Sequence, residues 1–372
     1  MKRTYQHGGD GKWMYGRQGM VGGWLLVMGW VLLTACTAVV AADPATTTGQ
    51  GAGVSAGEAG LKLDAKAAFP QVTLRNGLLE AVVYLPDKDR GYYRGTRFDW
   101  SGMVRKVQMG STVFFDLSHE EVYDPLESAL GLVDEFGIRG PLGYDQVMEG
   151  GKFVKIGVGE LIRDGEKYAF NKYYEMADGG VWRLEGDEQG VKVTQELKGT
   201  RGWGYVYTKE IRLAGDRPEL VIRRTLRNTG TQKIDTEHYN HHFMTINHEA
   251  KMGPAYRVEY PFVPVMTGTF NDQGVAKFEE KSLVFSGELP SDKAIYGKFT
   301  GFGATAEDHR VKVVHVPSGA WVEAKGSLPL ARCVLWGVSP VISPEMFVRL
   351  EVEPGQEVSW ETQYRFGAGS GK

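Results

Sequence analysis

The chain has 372 residues and a formal net charge of −3, from 43 Lys and Arg against 46 Asp and Glu, with no basic block. That balance excludes a nucleic-acid binder, because neutralising a phosphate backbone takes clustered Lys and Arg. Fifty glycines and abundant Tyr, Phe and Trp, without long helical periodicity, point to a turn-rich, all-β protein with enough length for one large core.

In chain order, the first element reads as an export signal over residues 1–42. Lys2, Arg3, Lys12 and Arg17 precede the apolar run VGGWLLVMGWVLLTA, and small residues follow. The run is too short for a comfortable transmembrane helix. Leu33-Thr34-Ala35-Cys36 resembles a lipobox, whose cysteine is acylated and becomes the mature N-terminus; cleavage after Ala42 is the competing reading. Met14 and Met20 are alternative starts, and Met20 would discard every positive charge ahead of the apolar run. Residues 43–60, DPATTTGQGAGVSAGEAG, read as a flexible tether. The expectation is an exported protein, periplasmic or at the cell surface, that meets the membrane only through a lipid on Cys36. The second cysteine, Cys333, sits in an apolar strand and reads as a core residue.

Residues 61–367 read as a single large antiparallel β-sandwich, followed by a frayed tail at 368–372. Asn76-Gly77 joins two short strands in VTLRNGLLEAVVYLP. The stretch DPLESALGLVDEF is the best helical candidate, with Asp124 as cap, Pro125 at the first position and Glu127 completing a capping box; Gly131 limits it to one or two turns. The glycines of KIGVGEL mark a bulged or tightly approached strand. GVKVTQELKG, ELVIRRTLRNTG and RVKVVHVPSG alternate apolar and polar residues. In FVRLEVEPGQEVSWETQYRF, Val348, Leu350 and Val352 share a face, EPGQ turns the chain, and Val358, Trp360, Thr362 and Tyr364 return. One apolar face per strand is what antiparallel sheets require.

Half of the eight histidines lie in KIDTEHYNHHFMTINHEA: His238, His241, His242 and His248. In a strand, His238, Asn240 and His242 share one face and His241 takes the other. A metal centre is not expected, since zinc ligands on one segment favour helical His-x-x-x-His or cysteine pairs. There is no Gly-x-Ser-x-Gly elbow, no suitable cysteine and no phosphate-cradling loop. What remains is His with carboxylates, arginines and aromatics, a set suited to sugars: rings stack on pyranose faces, Arg, Asn and His bind hydroxyls, and a His–Glu pair moves protons.

Here the sequence resembles the aldose 1-epimerases, or galactose mutarotases. Asn240-His241-His242-Phe243 is similar to their Asn-His-x-Tyr-Phe-Asn strand, one residue shorter before the aromatic, and closer to a Tyr-Asn-His-Asn-Phe-Phe variant of exported relatives. YYRGTRFDWSGMV resembles the early arginine segment and sets Arg97 at the family's substrate-binding arginine. SPEMFVRLEVEPGQEVSWETQYRF resembles the family's ending, with Glu345 as the catalytic carboxylate; Glu323, in WVEAKG, is the alternative base. The family's upstream histidine has no clear counterpart, although SHEEVYDP offers His119.

The resemblance implies a galactose mutarotase-like sandwich that interconverts the anomers of a mono- or oligosaccharide without a cofactor. Glu345 would take the anomeric proton and His241 would protonate the ring oxygen, the two flanking one pyranose about a ring's width apart. Their pKa values would then split, His241 raised and Glu345 low. Arg97, His242, His238, Asn240 and Trp100 are the expected substrate contacts, with His242 and His238 otherwise packing in the opposite layer; Tyr239 and Trp336 join Trp100 as candidate floor aromatics. Two other functions fit the same fold: a carbohydrate-binding lipoprotein without turnover, or a glycan lyase or hydrolase, the latter requiring two carboxylates at a set separation.

Overall fold

The computed structural model describes residues 61–369 and, ahead of them, only the backbone of three short strands, Tyr5–His7, Trp13–Tyr15 and Ser55–Ala56. The expected leader with Cys36, most of the tether and the end of the tail lie outside the described residues.

The strands of the body, in order, are β1 Gln71–Arg75, β2 Glu80–Tyr84, β3 Met103–Met109, β4 Thr112–Phe115, β5 Gly131–Phe136, β6 Lys152–Lys155, β7 Gly159–Ile162, β8 Met176–Asp178, β9 Val181–Gly186, β10 Gly190–Leu197, β11 Tyr205–Leu213 and β12 Glu219–Asn228. They continue as β13 Ile234–Phe243, β14 Tyr256–Glu259, β15 Val265–Met266, β16 Ala276–Glu279, β17 Ser282–Phe285, β18 Ala294–Thr300, β19 Arg310–His315, β20 Ala320–Gly326, β21 Arg332–Val338, β22 Val341–Val352 and β23 Glu357–Gly367. One sheet runs β16-β17-β14-β19-β20-β23-β12-β11-β10-β9, with Ser55–Ala56 beside β9. The other runs β15-β18-β21-β22-β13-β5-β3-β2-β1, with β4 on β3. Strands β8-β7-β6 form a small third sheet. Helical structure among the described residues is limited to two 3-10 turns, Tyr144–Gln146 and Ala306–Asp308.

The alternation read from the sequence is the alternation that packs. On β23, Trp360, Thr362, Tyr364 and Phe366 point between the sheets, while the residues between them are more exposed. They meet β13 in steps of two: Trp360 Nε1 donates to His238 Nδ1 at 3.2 Å, Thr362 Oγ1 to Asn240 Oδ1 at 3.0 Å, and the Tyr364 hydroxyl lies 3.0 Å from His242 Nε2. Between the sheets lies a charge-balanced cluster. Arg224 of β12 donates twice to Asp134 of β5, at 2.7 and 2.9 Å, and Lys209 of β11 reaches Asp134 at 2.9 Å and Asp99 at 3.4 Å. All four side chains are buried, so removing one partner would strand a charge in the core.

The one or two helical turns expected at DPLESALGLVDEF form as a single hydrogen-bonded turn over 124–128 and no helix. Asp124 caps it through Oδ1 to Leu126 N–H, and Ser128 N–H donates to Asp124 O at 2.7 Å. The rest becomes β5, buried on both faces, because Gly131 adopts φ +71° with its Cα pressed against Val104 O of β3, where a Cβ would come within 2.0 Å. The hairpin at Asn76-Gly77 forms as read, Asn76 Oδ1 accepting from Leu78 and Leu79 N–H. Gly159 of KIGVGEL is indeed tightly approached, by Asp178 O.

Candidate functional site

The site is written in the register of five neighbouring strands. The register that pairs His238 with Val348 and Met244 with Ile342 sets His241 of β13 directly opposite Glu345 of β22. Continuing across β5, β13, β22, β21 and β18, one row reads Gly131, Phe243, Ser343, Trp336, Tyr296. The next reads Val133, His241, Glu345, Val334, Lys298, and the third Glu135, Tyr239, Phe347, Arg332, Thr300. Side chains opposite one another on adjacent strands touch, so sequence positions a hundred residues apart become neighbours.

His241 Nε2 lies 3.4 Å from Glu345 Oε1, and Ser343 Oγ is 3.4 Å from His241 Nδ1. The imidazole stacks on Phe243 (4.2 Å between centroids) and meets Trp336 edge-on at 5.2 Å. His119, from the segment between β4 and β5, closes the same cage, stacked on Phe243 and edge-on to Trp336, both at 5.4 Å. Its Nδ1 is buried and has no partner, which leaves a polar atom free for a ligand.

Arg97 arrives from the loop before β3. The Tyr93 hydroxyl accepts from the N–H groups of Arg97 and Phe98, which fixes the loop. Arg97 Nε donates to Glu135 Oε2 at 3.0 Å and Nη2 to the Tyr239 hydroxyl at 3.3 Å; that hydroxyl donates in turn to Glu135 at 2.6 Å. Lys155 of β6 donates to the other oxygen of Glu135 at 3.2 Å. The guanidinium lies between the rings of Phe98 and Phe170, and a quarter of the side chain remains exposed.

Burial governs the electrostatics. It pushes the Glu345 carboxyl up to about 8, against the pull of Arg97 and Arg332. It holds His241 well below the usual imidazole range, helped by Arg97 and His119, and lowers His119 to about 4. Burial also opposes the charge on Arg97, but Glu135 and Tyr239 more than offset it. At neutral pH the His241–Glu345 pair therefore holds one proton, on the carboxyl. This reverses the expected split, because desolvation penalises both charged forms more than their mutual attraction returns. The separation also differs from the expected ring's width. At 3.4 Å the two groups sit side by side.

Of the residues singled out in the sequence, the structure brings together His241, Glu345, Arg97, Tyr239 and Trp336. His238, Asn240 and His242 lie on the opposite face of β13, buried in the core; His242 Nδ1 is 2.8 Å from Pro344 O, Asn240 also binds Asp134, and His238 Nε2 lies 3.4 Å from Asp134 Oδ1. They belong to the packing layer, not to the face that carries His241 and Glu345. Trp100 is buried in the main core with its Nε1 donating to Gly95 O at 2.8 Å. Glu323 lies on β20 in the other sheet, opposite Lys312 and Arg365, and alternates with the buried Val322 and Ala324, which turns it away from the core. Sequence reasoning missed Glu135, Lys155 and Ser343. A readable signal for the first existed: Asp134-Glu135 inside an apolar strand sends one carboxylate to each buried face, and each requires a cation.

No family model matches the chain, and the search of curated proteins found no match. Solved structures are. A galactose mutarotase-like protein from Clostridium acetobutylicum superposes with a TM-score of 0.51 at 11% identity, over 83% of this chain and 99% of its own. A Synechocystis protein superposes with a TM-score of 0.50 at 13% identity, over 80% of this chain and 96% of its own. A galactose 1-epimerase from Lactobacillus acidophilus gives 0.47 at 10% identity, over 83% and 100%. The body has the galactose mutarotase-like β-sandwich fold.

Proposed function

We propose that this protein interconverts the anomers of a mono- or oligosaccharide at the His241–Glu345 pair. The observation that carries the reading is the cross-strand contact of a single-proton acid–base pair, 3.4 Å apart, beside a cationic Arg97 and an aromatic wall of Phe243 and Trp336. A bound sugar would bring hydroxyls into a dry site and so favour moving the shared proton to His241. Glu345, then a carboxylate, removes the anomeric proton while the imidazolium protonates the ring oxygen; ring opening, rotation and reversal give the other anomer. Arg97, anchored by Glu135, offers its remaining donors to a hydroxyl. No step requires a cofactor. Hydrolysis would need a second working carboxylate, and Glu135 is engaged by Arg97, Lys155 and Tyr239. The test is polarimetry or exchange NMR on a panel of free sugars. Saturable binding with no acceleration of anomer exchange would refute turnover and leave a carbohydrate-binding protein.

The same proposal places the chain outside the cytoplasm, tethered through an acylated Cys36, on the strength of the leader and lipobox pattern. Metabolic labelling with a palmitate analogue should mark the protein and be lost in Cys36→Ala. An unlabelled protein cleaved after Ala42 would overturn the anchor.

A further inference from the structure

The face that carries His241 and Glu345 is unevenly charged. On the Arg97 side the charges balance: Arg97 and Lys155 stand with Glu135, and Glu120 lies close enough to feel Arg97. On the Arg332 side they do not. Glu237 accepts from two guanidiniums at once. Arg139 reaches it through Nη2 at 2.6 Å and Nε at 3.1 Å, and Arg332 through Nη2 at 3.1 Å and Nε at 3.4 Å. Both carboxylate oxygens are spent on the Nε/Nη2 edges, which leaves the Nη1 edges of both forks unused by Glu237. Lys298, in the same row as His241 and Glu345, adds a third, exposed cation, 5.9 Å from the Tyr296 ring. Three cations thus face one carboxylate. The next group outward, Lys233, Asp235, Arg349 and Glu351, pairs its own charges.

Two guanidiniums held by one carboxylate repel each other, and a second anion would complete the alternation. Arg332 is also anchored, lying 3.4 Å over the Phe347 ring, whose other neighbour is Tyr239 at 4.1 Å. A pre-set fork beside an aromatic wall is a better anion receptor than a free surface arginine, because less freedom is lost on binding. The side chains are reachable from solvent, Arg139 being 70% and Arg332 22% exposed.

We propose that Arg139, Arg332 and Lys298 form a subsite for an anionic substituent, phosphate or carboxylate, on a sugar whose C1 lies over His241 and Glu345. The inference rests on the reading that this face holds a sugar, and it narrows the substrate to sugar phosphates or uronic acids.

The experiment uses the full chain and calorimetric titration with glucose, galactose, their 6-phosphates and the matching uronates, alongside anomer exchange followed by NMR. Anionic sugars should bind at least about tenfold more tightly than neutral ones, the scale of one or two charge-assisted hydrogen bonds. That preference should shrink in high salt and in Arg139→Gln and Lys298→Ala, both exposed positions whose replacement spares the core. The phosphate and uronate arms identify which anion fits. Equal binding of neutral and anionic sugars, with exchange intact, overturns the subsite and leaves the exchange reading standing. An anionic preference without exchange supports the subsite and removes the exchange reading. No binding by any sugar overturns both.

Discussion

Glu345 concentrates the conflict between stability and chemistry in one residue. The residue is 6% exposed, and its carboxyl faces His241 and is pushed from 4.5 to about 8 by burial. A raised carboxyl pKa means the folded state binds the proton more tightly than the unfolded chain. The residue is therefore neutral toward stability below about pH 4.5 and costs progressively more as pH rises toward 8. Glu345→Gln removes that cost. It should melt at the wild-type temperature near pH 4.5 and above it near pH 8.5, by on the order of 4 kcal/mol from the size of the shift. The same variant should lose anomer exchange by about a hundredfold or more while retaining sugar binding. In the wild type, kcat/KM should fall above about pH 8 as the pair loses its only proton. A variant no more stable than wild type at high pH would show that Glu345 is ionised without penalty, and the single-proton pair would be wrong.

At the scale of elements, β13 is two different surfaces on one strand. Its even-numbered residues from 234 to 242 pack between the sheets, and Tyr239, His241 and Phe243 build the site. Tyr364→Phe removes the partner of His242 Nε2, so it should cost about 1–2 kcal/mol in chemical denaturation. It should leave KM for a sugar within about twofold. A large rise in KM at unchanged fold would instead return His242 to the substrate face. Strand β5 depends on Gly131 for its approach to β3. Gly131→Ala combines a left-handed backbone with a collision against Val104 O and Arg105 O. It should destabilise by about 2–4 kcal/mol, measured by the denaturation midpoint, with any folded fraction losing His241 geometry as well. An unperturbed midpoint would mean that β3 and β5 have room to separate.

The whole molecule is set up to fail in acid. His238, His242 and His309 are buried and held near 4 by desolvation. For each, the folded pKa lies below the unfolded value of 6.5. Their contribution is fully present above about pH 6.5 and is lost as pH falls toward 4. At a shift of this size each withholds roughly 3 kcal/mol at pH 4, and three together approach the net stability of an ordinary domain. Circular dichroism should show a flat stability plateau above pH 6.5 and cooperative unfolding between about pH 5 and 4. Retention of the native spectrum at pH 3 would contradict the neutral, buried state of these rings.

Much of this was legible in the chain itself. Period-two alternation, the turns at Asn76-Gly77 and Pro354-Gly355, and the scarcity of helical periodicity determined an all-β sandwich, because face preference in a strand is local and repeats every two residues. The same rule separated His241 from His238, Asn240 and His242. It did not say which face would meet which neighbours, since that depends on the second sheet: Trp360, Thr362 and Tyr364 claim one side of β13 and leave the other to the aromatic cage around His241. Nor did it supply register. Glu345 stands opposite His241 only because β13 and β22 align across a hundred residues of intervening chain. Gly131 turned a capped, helix-like segment into a strand through a contact with β3 that no local signal encodes. The sign of the proton balance, with Glu345 high and His241 low, was likewise decided by burial, and burial is a property of the assembled sheets.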